Sequence, residues 1–208
     1  MPADVEVCAV QLPGRENRFA EAPLRSWPTL VDRLAEGVRA ELERPFALLG
    51  HSMGALLAFE LACALQMRLR LVPLHLFVAG RNAPQMPRAL AHLAGLDDEK
   101  LVEELRQLNG TPRPVLEDPD LMQLLLPVLK ADFALCAAYT HVEREPLRCP
   151  ITALGGLQDA HADFAGLQAW RDHTSAAFAV RMVSGDHFFL ATHRVLVARM
   201  VAEDLILQ

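Results

Sequence analysis

Apolar residues recur at every fourth position in Leu30, Leu34, Val38 and Leu42, and this spacing predicts an amphipathic helix over Pro28–Glu43. Shorter apolar runs read as strands: Val5–Leu12, ending at Pro13-Gly14, then Phe46–Leu49, Leu74–Ala79, Ile151–Leu154 and Phe178–Val183. Met53–Leu69 is apolar nearly all round, the pattern of a buried helix, and Thr192–Leu207 closes the chain as another. Strands alternating with helices imply an α/β fold: a mostly parallel sheet flanked by helices. Asp97–Val142 breaks the rhythm. It is helical in pieces around a Pro-rich "GTPRPVLEDP", without strand signal, and predicts a helical insertion capping the strand ends of a single domain, 1–208.

Composition narrows the class. Of 208 residues, 52% are hydrophobic and 22% charged, which fits a folded globular chain and excludes a disordered one. The net charge of −6 and the lack of long basic stretches argue against nucleic acid as a partner. Cys8, Cys63, Cys136 and Cys149 are scattered without a CxxC pair, as expected of buried, reduced thiols in a cytoplasmic protein. The acidic start does not resemble a signal peptide, and no apolar stretch approaches the roughly 20 residues of a membrane span.

The chemistry centres on Gly50-His51-Ser52-Met53-Gly54, a G-x-S-x-G between a predicted strand and a predicted helix. A serine on so sharp a turn projects its hydroxyl from the sheet, and side chains at positions 50 and 54 are expected to collide there. A helix starting at Met53 offers its first free N–H groups, beginning with that of Met53, to developing negative charge. Serine needs a base to become nucleophilic, and the expected chain order is Ser, carboxylate, His. Of eight histidines, His187 directly follows the last strand and a glycine. His51 is expected to point elsewhere and His75 to be structural. His92, His141, His161, His173 and His193 read as solvated or satisfied. Asp159 follows strand Ile151–Leu154 and a Gly-Gly turn. Asp163 is the reserve, Asp186 sits too close to His187 in sequence, and the "GRNAP" loop has no carboxylate. The implied triad is Ser52 as nucleophile, His187 as general base then acid, and Asp159 orienting the imidazole. No histidine pair has helical metal-ligand spacing, and no metal is expected.

Several stretches together resemble the type II thioesterases of polyketide and nonribosomal peptide synthesis, relatives of the medium-chain thioesterase of fatty acid synthesis. They are "QLPGRENR", "GHSMGALLAFELA", "FVAGRNAP", "LNGTP", "LLPVLKADF" and "GDHFFL", spread nearly end to end. The resemblance implies an α/β-hydrolase fold with a lid over 97–142. It also implies hydrolysis of acyl thioesters from the phosphopantetheine arm of an acyl or peptidyl carrier protein, with no further cofactor. It carries nucleophile, acid and base onto Ser52, Asp159 and His187. Arg15 has two readings, one structural and one facing the carrier protein.

Two departures stand out. Leu157 replaces a second acid that the family often carries, a change of loop packing. Upstream of Val5 the chain cannot supply the strand and Gly-Gly loop from which the family draws a second oxyanion donor. Losing one such donor slows a hydrolase about a hundred- to thousandfold, and the missing strand is expected to unsettle sheet pairing. A non-catalytic carrier-binding protein and a small-molecule carboxylesterase are the competing readings.

Overall fold

The computed structural model of the chain describes residues 5–87 and 90–206. They form two compact units, the larger from 31–87 and 140–206, the smaller from 5–30 and 90–139.

The larger unit is built on a four-stranded parallel sheet in the order β1 (Leu48–His51), β2 (Leu76–Ala79), β3 (Ile151–Gly156), β4 (Phe178–Val183). Its register pairs Leu48 with Leu76, Leu76 with Ile151, and Ile151 with Phe178. Parallel strands need long crossovers, and helices supply them. Helix α2 (Met53–Ala64) follows β1 and is buried from Ala55 to Ala64, as its all-round apolar sequence requires. It ends in a π-turn, Leu65–Leu69, closed by Arg70 in a left-handed conformation. One charge lies inside α2: Glu60 is paired with Arg144 at 2.8 Å. On the other side Phe77, Leu154, Val183, Phe189, Val197 and Val201 form the core beneath α8 (Arg194–Ile206). Leu207, the last residue of that predicted helix, lies outside the described residues.

The largest departures of the observed elements from the sequence pattern are three, beside shifts of a residue or two at strand ends. Helix α1 (Trp27–Gly37) stops at the residue with the weakest helical tendency after proline, and Arg39–Glu43 continues only as a 3-10 turn, although Leu42 stays buried. Gly155-Gly156, expected as a turn, belongs to β3, paired with Met182 and Val183 of β4, and the space admits only glycine: a β-carbon on Gly155 would lie 2.3 Å from Leu167 Cδ1 and one on Gly156 2.5 Å from Asp186 O. The predicted strand Val5–Leu12 is not a strand. Residues 5–12 have no regular structure, and Val7 and Val10 are exposed. An apolar run becomes a strand only where an edge accepts its backbone groups. Residues 5–12 group with helices, which satisfy their own backbone and offer no edge. Strand β1 therefore ends the sheet on its side, with no described strand beyond it.

The smaller unit gathers the helical insertion around Leu90, Leu93, Leu101, Leu105, Leu116, Met122 and Leu126. Helix α3 (Asp98–Leu108) is capped by the Asp97 carboxylate accepting from Lys100 N–H and closes on Asn109 in a left-handed turn. A short helix, α4 (Arg113–Leu116), leads to α5 (Pro119–Ala138), whose first N–H groups meet the Asp118 carboxylate. Near its far end the Leu135 carbonyl accepts from Trp27 Nε1 at 2.7 Å. Contrary to expectation, α5 is long and apolar enough by length and composition to cross a membrane. Its charges are used inside the unit, however: Lys130 pairs with Asp98, and Asp132 with Arg15. Arg15 also donates to the Pro13 carbonyl at 3.1 Å, which favours the structural reading of this residue.

A buried polar chain ties α8 to the sheet. Thr152 Oγ1 donates to Asp204 Oδ2 at 2.9 Å, so its oxygen accepts from Nε2–H of His75, also at 2.9 Å. The His75 ring stacks on Phe77, and burial holds its pKa below the ordinary value. Arg181 completes the chain by pairing with the other Asp204 oxygen. Asp204→Ala strands these donors, so it should lower unfolding free energy by about 1–3 kcal/mol in urea titrations.

Candidate active site

Backbone geometry at the end of β1 sets the site. Ser52 has φ 54° and ψ −115°, a strained conformation for a residue with a side chain. Its N–H is anchored to the Ala79 carbonyl at 2.8 Å, and α2 begins at the next residue. The chain reverses so tightly that a β-carbon on Gly50 would lie 1.9 Å from Gly54 O. Gly54 differs from expectation, because a β-carbon there meets nothing within 4 Å. Gly54 contributes its backbone to the close approach, and Gly50 is the position that tolerates no side chain. As the first helical residue, Met53 has an N–H with no acceptor inside α2.

The loop after β4 carries His187, which is buried. Its Nδ1 lies 2.9 Å from Asp159 Oδ2, and the Asp159 side chain is shielded completely from solvent. Asp159 Oδ1 accepts from the His161 N–H at 2.8 Å. Burial works to raise the Asp159 pKa, but the hydrogen bond and charge of His187, with the His161 N–H, outweigh it and lower it. The loops that carry Asp159 and His187 are stitched together. Leu157 N–H donates to Val183 O (2.8 Å), Gln158 N–H to Gly185 O (2.9 Å), and Gly185 N–H to Gln158 Oε1 (2.6 Å). The Leu157 side chain is largely exposed.

The rejected carboxylates have other work. Asp163 caps the short helix α6 (Phe164–Gln168) by accepting from Gly166 N–H, and Asp186 accepts from Phe188 N–H. The structure thus joins His187 to Asp159. No hydrogen bond links the Ser52 hydroxyl to His187 among the described residues, so the expected three-membered line is joined at two of its members.

Two histidines dismissed from the sequence lie beside His187. The His51 ring centroid is 4.9 Å from that of His187, and His51 Nε2 is 2.7 Å from the His187 carbonyl oxygen. The His161 ring stands edge-on to His187 at 5.5 Å. The only sequence signal for either was its closeness to Ser52 or Asp159. The remaining histidines lie apart. His92 faces Glu104, His193 bonds Thr192, and His173 bonds Gln85. Burial and neighbouring His141 push His173 down to about 4. His141 is not satisfied as expected, since its Nδ1 is buried without a partner. Three cysteines are buried and unbridged; Cys8 is exposed, against expectation. Burial pushes Cys63 to about 12 and Cys149 to about 11, which leaves both as unreactive thiols.

The model of the thioesterase domain family matches residues 1–205. The chain belongs to the thioesterase family. GrsT, the gramicidin S biosynthesis protein of Aneurinibacillus migulanus, is 50% identical over 189 residues, which cover 91% of this thioesterase and 74% of the relative. The type II thioesterase BorB from the borrelidin biosynthetic cluster superposes with a TM-score of 0.85 at 40% identity, over 95% of this chain and 80% of that one. RedJ, the thioesterase of the prodiginine pathway in Streptomyces coelicolor, does so with a TM-score of 0.85 at 38% identity, over 93% and 78%. The fold of this thioesterase is accordingly the α/β-hydrolase fold.

Two outcomes follow from the turn and from the carboxylate. Gly50→Ala should prevent stable folding, whereas Gly54→Ala should melt within a few degrees of wild type by calorimetry. Because folding lowers the Asp159 pKa, its stabilisation is complete above the unfolded-state value and is lost as the pH falls through the folded one. Unfolding free energy measured from about pH 5 to about pH 2 should therefore fall less steeply in Asp159→Asn than in wild type.

Proposed function

We propose that this thioesterase hydrolyses acyl groups from the phosphopantetheine arm of an acyl or peptidyl carrier protein, in the cytoplasm, as an editing enzyme of polyketide or nonribosomal peptide synthesis. The observation that carries the reading is the buried Asp159–His187 bond of 2.9 Å, with His187 touching His51, the residue before a serine on a strained strand-to-helix turn. BorB and RedJ, named as thioesterases of biosynthetic pathways, and GrsT, named as a gramicidin S biosynthesis protein, support the reading, and the carrier-bound substrate is what the family resemblance adds.

Asp159 accepts from Nδ1–H of His187, which leaves Nε2 as the basic nitrogen. Nε2 takes the Ser52 proton as Oγ attacks the thioester carbonyl. The oxygen of the tetrahedral adduct then carries the negative charge and receives the Met53 N–H. Collapse breaks the C–S bond, and the pantetheine sulfur leaves with the proton from His187. Water attacks the acyl-serine while His187 again takes and returns a proton, freeing the carboxylic acid and Ser52. The thioester arrives on its partner's arm, so the scheme uses no resident cofactor. On the resemblance, the helical insertion 97–142 is assigned the role of a lid.

Release of free thiol from acyl-pantetheine is the test. Ser52→Ala should abolish it, and Asp159→Asn should lower kcat by about 10⁴. A fluorophosphonate should label wild type at Ser52. Equal rates for wild type and Ser52→Ala would overturn the reading, and faster cleavage of oxyesters of equal acyl length would reassign it to a carboxylesterase.

A further inference from the structure

His51 lies between Gly50 and Ser52, and the proposed triad does not use it. It is half-buried at the end of β1, where its register partner is Ala79. Its Nε2 lies 2.7 Å from the carbonyl oxygen of His187. A carbonyl oxygen can only accept, so Nε2 carries a proton and donates. Burial is the largest influence on His51 and lowers its pKa, which keeps the ring neutral at ordinary pH. The tautomer is then the Nε2–H form. The ring is held among Phe188, at 5.7 Å, and Phe189, at 6.2 Å, which follow His187, Phe189 as the first residue of the short helix α7 (Phe189–Thr192). Beneath it lies Gly80, at φ +59°, where a β-carbon would stand 2.7 Å from His51 Nε2 and 3.4 Å from His187 Cε1. The absent side chain at position 80 is what lets the two imidazoles approach.

We propose that His51 is a positioning residue: its Nε2–H bond to the His187 carbonyl ties the nucleophile turn to the base loop and sets the distance between Ser52 Oγ and His187 Nε2. Asp159 orients the His187 ring through Nδ1, which governs rotation of the side chain. It does not fix where the residue's backbone stands relative to Ser52. The His51 bond does, because it joins the residue adjacent to the nucleophile to the main chain of the base. Proton transfer between these groups depends steeply on their separation, and a misplacement of about 1 Å costs on the order of a hundredfold. This role rests on the triad reading above, since it has meaning only if His187 is the base for Ser52.

Two variants separate the donor from the ring. His51→Gln retains an amide N–H at nearly the reach of Nε2, and His51→Phe retains the ring without the donor. For acyl-pantetheine hydrolysis, His51→Phe should lower kcat about ten- to a hundredfold with KM unchanged, and should slow fluorophosphonate labelling of Ser52 in parallel. His51→Gln should recover most of both. Wild-type kcat in His51→Phe, or equal losses in the two variants, would overturn the proposal. Should either variant fail to fold, nitrogen-15 NMR of histidine-labelled wild type decides: a neutral His51 protonated at Nδ1 overturns it and the Nε2–H form supports it. Ser52→Ala, run alongside, separates this outcome from failure of the triad, because full activity there would defeat the triad itself.

Discussion

A steric constraint between two glycine positions underlies the site. Gly50 and Gly54 approach so closely that a single methyl group on the first would occupy the space of the second's carbonyl. That approach lets β1 turn into α2 within one residue, and the residue left at the apex is Ser52. The strain of its positive φ is a local cost that the surrounding sheet and buried helix offset. Everything else in the site is arranged around the place this turn defines. Ala79 anchors the apex N–H, and the loops after β3 and β4 bring a carboxylate and an imidazole toward the same strand ends.

The carboxylate and the imidazole illustrate how burial and pairing work together. Asp159 would be driven toward its neutral form by shielding from water, and it remains favoured as an anion because two donors converge on its two oxygens. One of these is a backbone N–H two residues away, which comes with the loop itself. The other is His187, brought from a different strand. A carboxylate held in this way orients the ring that it accepts from, and a solvated one would not. The same logic appears away from the site, where Asp204 collects Thr152 and Arg181 inside the larger unit.

Much of this was legible in the residues. The G-x-S-x-G turn, the loop positions of Asp159 and His187, and the helical character of the insertion all follow from local spacing and from turn residues at strand ends. What escaped was tertiary. Val5–Leu12 has a strand's composition, but strand formation depends on a partner edge that composition does not reveal. Gly155-Gly156 resembles a turn, and only the nearness of Leu167 and Asp186 explains why glycines stand inside β3. His51 was expected to point away from the chemistry. Its ring does leave the serine, yet it leaves toward the backbone of His187, a direction set by packing over Gly80. His161 is two residues from the acid and was readable as a neighbour, but not as one facing the imidazole.

The stitching between the loops after β3 and β4 has a consequence for motion. Three hydrogen bonds cross between Leu157–Gln158 and Val183–Gly185, and the backbone at Asp186 lies against the bare face of Gly156. Hinge-like displacement of one loop alone would break all of these at once, so Asp159 and His187 travel as a single rigid piece. Any larger opening must then come from elsewhere in the molecule, while the carboxylate and the imidazole keep their alignment.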